Sequence, residues 1–136
     1  MASAKFIVVV SLVIEHEGAV LLARRHPDRD HAPGAWDAIS GRLEAGESPH
    51  QAAQREGFEE TGLHVDVLAP IDTFHFLRGP DREEAIGITF HCRAHDRKAR
   101  LSMEHTEFAW VTLEQARAYG LARGLLRCIG VVLEHR

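Results

Sequence analysis

The sequence predicts an α/β domain on three observations: a pair of Val-, Ile- and Leu-rich arms around a glycine turn, a helix with both ends marked, and a later set of alternating strand-like segments closed by an apolar-periodic helix. No internal repeat or linker interrupts that order, so residues 1–136 are expected to form a single domain.

The arms lie in "KFIVVVSLVIEHEGAVLLARR", two strands about a turn at His16–Gly18. "HPDRDHAPGAWDAISGRLEAGESP" follows, rich in Pro, Gly and Asp, and is expected to be a long loop with a short strand over Trp36–Ser40. Loops of that length in compact domains tend to carry function. Ser48 is a good N-cap, Pro49 suits the first helical position and Gly62 stops the helix. "LHVDVLAPIDTFHFL" and "EAIGITFHCRA" then alternate like strands on either side of the turn-prone "RGPDRE". "EFAWVTL" adds a short strand running into Thr112, which caps "LEQARAYG", and Leu121–Glu134 forms the last helix.

Composition narrows the class of molecule. A chain of 136 residues can bury roughly two thirds of its unfolded surface, enough for a core without disulfides or a structural metal. The net charge of -4 and pI near 6.2 argue against a nucleic-acid polymer as partner. Cys92 and Cys128 form no CxxC pair, which points to a reducing compartment and a cytoplasmic protein. The apolar run Phe6–Ile14 lacks a cleavage site and falls well short of the about 20 residues that span a bilayer, so no membrane segment is expected.

Residues 41–63, "GRLEAGESPHQAAQREGFEETGL", crowd Glu56, Glu59 and Glu60 onto one stretch of the helix directly after Arg55. Like charges at that spacing weaken an isolated helix by a few tenths of a kcal/mol per pair, about 0.2–0.5. At about 100° per residue the three carboxylates project together. Two readings follow: a solvated acidic face, or a site for Mg²⁺, which takes oxygen ligands from carboxylates and from substrate phosphates.

The fixed spacing of Gly41, Glu47, Arg55, Glu56, Glu59, Glu60, Gly62 and Leu63 resembles the Nudix box, and the order of elements is similar to Nudix (MutT-like) hydrolases along nearly the whole chain. The resemblance implies an α/β/α sandwich with a mixed β-sheet. It also implies Mg²⁺-dependent hydrolysis, with Mn²⁺ as a substitute, of a nucleoside diphosphate linked to another group: a nucleoside triphosphate or a nucleotide sugar such as ADP-ribose. On that basis Glu56, Glu59 and Glu60 are expected metal ligands, Ser40 or Gly41 offers a backbone carbonyl, and Glu56 is either ligand or activator of the attacking water. Arg55 orients the carboxylates and Glu47 braces the preceding loop against it. Of the acids before the last strand, Glu104 is preferred to Glu107 as a further catalytic group. Homodimers are common among such proteins.

Two positions depart from the family pattern. Gly57 stands where a large aliphatic is usual, which costs roughly 1 kcal/mol of helix propensity and is expected to leave a gap that Phe58 fills. "AISGR" replaces a proline and two glycines, although Ser40 can still present its carbonyl. Substrate contacts are expected from Arg24, Arg25 and Trp36, with one arginine on the surface and Trp36 weighed against a core role. Phe74, Phe76 and Phe90 read first as core, His75 and His91 as the histidines nearest a site, and Pro80 as a turn proline. The alternative to an enzyme is a nucleotide-sensing module that binds without cleaving, against which the intact carboxylate set speaks.

Overall fold

The computed structural model describes residues 5–28, 32–100 and 102–134. β1 (Ile7–His16) and β2 (Ala19–Arg25) make the expected hairpin, with Glu17 and Gly18 both at positive φ in the turn. The expected strand over Trp36–Ser40 is instead two pieces, β3 (Trp36–Asp37) and β4 (Ile39–Arg42), because they pair with different neighbours: β3 with β2, β4 with the middle of β1. α1 (Pro49–Thr61) starts in a capping box between Ser48 and Gln51 and ends at Gly62, whose φ of 74° is the left-handed cap that glycine adopts without a Cβ clash.

β5 (Val65–Arg78) and β6 (Glu83–Ala94) form a long hairpin, and β7 (His105–Val111) returns to pair with β2. Pro80 lies in the exposed turn of that hairpin. Thr112 caps a single turn, α2 (Leu113–Ala116), shorter than the "LEQARAYG" helix expected, and α3 (Arg123–Glu134) closes the described chain. The strand path is β3-β2-β1-β6-β5, with β4 and β7 paired to β1 and β2. β1 and β6 run parallel while the other pairs are antiparallel, so the sheet is mixed.

Alternation along β1 sorts the helices onto opposite faces. Val10, Leu12 and Ile14 pack with Ala52 and Ala53 of α1. Val13, on the other face, packs with Cys128, Ile129 and Val132 of α3. The result is the α/β/α sandwich. No helix among the described residues is long and apolar enough to cross a membrane.

Gly57 overturns the expectation of an underfilled box. A Cβ there would stand 3.0 Å from a Val65 methyl and 3.2 Å from a Leu12 methyl, so the strands of the sheet already occupy the space. The glycine lets α1 lie close on the sheet, and nothing is left for Phe58 to fill. Phe58 points outward, stacked on His64 at 4.8 Å with the Arg100 guanidinium 5.9 Å from its ring centre.

Candidate active site

Arg55 is the hub of the acidic cluster. Its Nε and Nη2 donate to the two carboxylate oxygens of Glu47 at 3.0 and 2.6 Å, a forked pair that ties the loop to the helix. Nη2 also donates to the Arg42 carbonyl at 2.9 Å, and Nη1 to Glu56 at 2.8 Å and Glu59 at 3.1 Å. One guanidinium thus offsets the repulsion among carboxylates that the helix brings together. The same fork holds the Glu47 carboxyl below its ordinary range.

The three glutamates occupy different surroundings. Glu59 is half exposed, whereas Glu56 and Glu60 are buried or nearly so. Burial pushes the Glu56 carboxyl up to about 7, against the opposing pull of Arg55. At Glu60 burial acts in the same sense but is outweighed by hydrogen bonds from His105 and Ser102, so its carboxyl falls below the ordinary range. Glu60 Oε2 accepts from the Ser102 hydroxyl and lies 3.5 Å from His105 Nδ1.

Gly41 is required for a steric reason. A Cβ built on it would overlap the Glu56 carboxyl group, so β4 and α1 can approach this closely only across a bare Cα. Ser40 precedes it on the same strand, paired with Ser11 of β1.

These residues line one cleft of about 1110 Å³, which holds Ser40, Gly41, Arg55, Glu56, Glu59 and Glu60 along one wall. Glu104 and Arg25 line it as well. Arg24 does not. It is half exposed, bonded to the Gly34 carbonyl at 3.1 Å and to Glu107 at 3.4 Å. Trp36 also lies outside the lining, its ring edge-on to Tyr119 at 5.0 Å beneath the α3 layer. His75 pairs with Glu84 at 3.4 Å, and His91 sits 3.8 Å from buried Glu15, beyond hydrogen-bond range; neither lines the cleft.

Two features of the site were not legible beforehand. Ser102 and His105 hold Glu60 from a segment more than forty residues away in sequence. Phe74 and Phe76, expected in the core, line the cleft instead, and Phe74 is 38% exposed; of the three phenylalanines only Phe90 is buried. The available signal was phase, since Asp72, Phe74, Phe76 and Arg78 alternate on one side of β5, and a side bounded by charges is not a core face.

Among the described residues no three His, Cys, Asp or Glu side chains converge as a ready-made cation cage. The donors that do line this wall are carboxylate, hydroxyl and carbonyl oxygens, a set suited to a hard divalent cation and not to a soft one.

An α/β/α sandwich with a cleft walled by carboxylate oxygens defines the structural class. The chain belongs to the Nudix hydrolase family: the NUDIX domain matches residues 5–128. A nucleoside triphosphatase NudI from Escherichia coli strain UMN026 is 32% identical over 136 residues, covering 91% of this chain and 96% of that one. An octanoyltransferase from Myxococcus xanthus is 46% identical over 105 residues, 74% of this chain but only 28% of that longer protein. Among solved structures, a NUDIX hydrolase from Nitrosomonas europaea matches with a TM-score of 0.75 at 28% identity, over 92% of this chain and 86% of that chain.

Proposed function

We propose that this protein hydrolyses the diphosphate linkage of a nucleoside triphosphate with Mg²⁺, or Mn²⁺ in its place, a nucleotide sugar such as ADP-ribose being the next class to test. The observation that carries the reading is the Arg55 hub, which gathers Glu47, Glu56 and Glu59 on the wall of a cleft large enough for a nucleotide. The similarity to a nucleoside triphosphatase over nearly its full length favours the triphosphate.

In this reading Glu56, Glu59 and Glu60, with a backbone carbonyl of Ser40 or Gly41, hold the cation. When bound, a divalent cation polarises phosphoryl oxygens and makes water nucleophilic at neutral pH. The chain's own groups do the rest. Arg55 and Glu47 fix the direction of the carboxylates, Ser102 and His105 fix Glu60, and a cleft carboxylate, Glu56 or Glu104, takes the proton of the attacking water. Water oxygen bonds to phosphorus, the bridging P–O bond breaks, and the leaving phosphate oxygen takes up a proton. A triphosphate would yield nucleoside monophosphate and pyrophosphate. Arg25, which lines the cleft, is the arginine proposed to meet the phosphate chain. We further propose a single-domain, cytoplasmic protein, with Cys92 and Cys128 buried as free thiols, and a homodimer, checked by light scattering.

The test is product analysis on nucleoside triphosphates, dinucleoside polyphosphates and nucleotide sugars with Mg²⁺, for wild type and Glu59→Gln side by side. Cleavage of one class at the diphosphate, lost in the variant, is the expected result. Binding of a nucleotide without turnover under Mg²⁺ or Mn²⁺ would replace the enzyme with a sensor.

A further inference from the structure

The cleft does not end at the acidic wall. Its floor is the sheet itself, where Phe74 of β5 pairs with Gly87 of β6, Gly87 with Val9 of β1, and Val9 with Arg42 of β4. This row crosses four strands and ends beside Gly41, so the Phe74 position lies three strand spacings, roughly 14 Å, from the carboxylate wall.

Gly87 gives the Phe74 ring its place. A Cβ on Gly87 would overlap the ring, which therefore lies across the bare backbone of β6. Phe76, two residues on, stacks against it at 5.7 Å with 23° between planes. A core phenylalanine is covered by its neighbours. This one keeps 38% of its surface open while lining the same cleft as Glu56 and Glu59. An aromatic face left open inside a concave cleft is suited to a flat ligand group.

The next row of the floor is polar. Asp72 pairs with Thr89 and Thr89 with Ser11, and all three line the cleft. Arg127 of α3 donates to Asp72 Oδ2 at 3.0 Å and holds the carboxylate in place from above. Aromatic face and fixed acceptor stand one row apart on the same side of β5.

We propose that Phe74 is the stacking platform for the nucleobase of a nucleoside phosphate, and that Asp72, held by Arg127, accepts a hydrogen bond from the base edge. This deepens the nucleotide-hydrolase reading and rests on it for the position of the phosphates. Stacking tolerates any base, because each has a π-face, whereas a fixed carboxylate discriminates by where the base carries its N–H groups. Phe74 therefore sets that a base is present, and Asp72 sets which one.

Equilibrium binding separates these roles without turnover. AMP, GMP, CMP, UMP and ribose 5-phosphate are titrated with Mg²⁺ into wild type, Phe74→Leu, Phe74→Trp and Asp72→Asn, each first checked for folding by circular dichroism. Leucine keeps apolar cover over Gly87 but removes the ring. Wild type is expected to bind the nucleoside monophosphates about tenfold or more tighter than ribose 5-phosphate. Phe74→Leu should collapse that gap for all four bases with ribose 5-phosphate affinity unchanged, and Phe74→Trp should keep it. Asp72→Asn should reorder the four bases and leave the gap.

A wild type that binds ribose 5-phosphate as well as the nucleotides, or a gap that survives Phe74→Leu, overturns the platform. An unaltered base order in Asp72→Asn overturns the acceptor. The outcomes stay distinct from those of the hydrolysis assay: turnover with a gap that survives Phe74→Leu removes only the platform, and a ring-dependent gap without turnover removes only the hydrolase reading.

Discussion

The two ends of the cleft are built on different principles. The acidic wall comes from one continuous stretch, residues 40–60, in which helix periodicity and a single guanidinium set almost every distance. The floor comes from β1, β5 and β6, and its residues meet only because distant strands pair in one register. The wall concentrates charge and is held by hydrogen bonds. The floor spreads polar and aromatic groups over a surface and is held by the sheet. Reaction chemistry therefore depends on a few irreplaceable oxygens, while recognition depends on shape and can be tuned one side chain at a time.

The two ends should therefore fail differently in kinetics. Glu59→Gln removes a charge from the wall and should lower kcat on the order of 100-fold with only a small change in melting temperature, since the side chain is half exposed. Phe74→Leu should act mainly on KM. A Glu59→Gln enzyme with wild-type kcat and raised KM would erase the distinction.

Arg55→Met tests the wall as a structure. It leaves Glu47, Glu56 and Glu59 without their shared cation, and loss of one partner from a partly buried charge network leaves the remaining carboxylates uncompensated. The melting temperature should fall steeply at neutral pH and recover in part with Mg²⁺, which would supply positive charge to the same oxygens. A variant as stable as wild type without metal would mean that the carboxylates never needed the guanidinium.

Gly57→Leu tests the layer behind the wall. With Val65 and Leu12 methyls already at 3.0 and 3.2 Å from the missing Cβ, a leucine must push α1 off the sheet. Overpacking of this kind costs about 1–3 kcal/mol, and the displaced helix should also lose activity. A rise in melting temperature would show that the strands can give way.

The same contrast explains what was readable in the sequence. α1 and its caps were legible because Ser48, Pro49 and Gly62 act through neighbours within a turn. The carboxylate face was legible because helical spacing is fixed, and the first hairpin because its turn is local. The floor was not, because Phe74 and Phe90 have the same local pattern and differ in what surrounds them: bare Gly87 and the open cleft for one, buried Leu12 of β1, Pro70 of β5 and the core under α1 for the other. Ser102 and His105 escaped for the same reason, since nothing near them announces Glu60. Gly57 was misread because a missing side chain looks like a gap until the opposing strand is placed.

Glu56 gives the smallest effect and the finest test of the wall. Its carboxyl, ordinarily near 4.5, stands at about 7 in the fold without a cation, chiefly because it is buried, with Arg55 pulling the other way. A raised carboxyl favours the neutral acid in the folded state, so its contribution to stability is complete below the unfolded value and is lost as pH climbs through the folded one. Glutamine has no proton to lose in that window. With divalent cations chelated, the stability of Glu56→Gln relative to wild type should therefore grow between about pH 5 and pH 8, by about 1–2 kcal/mol once solvent screening is allowed for. Mg²⁺ should reverse the order above neutral pH, because the ionised wild type offers the cation one more carboxylate than Glu56→Gln does. A difference that stays flat across the window would mean that Arg55 and water already solvate Glu56 fully. The charge would then lie where a cation is not needed to hold it.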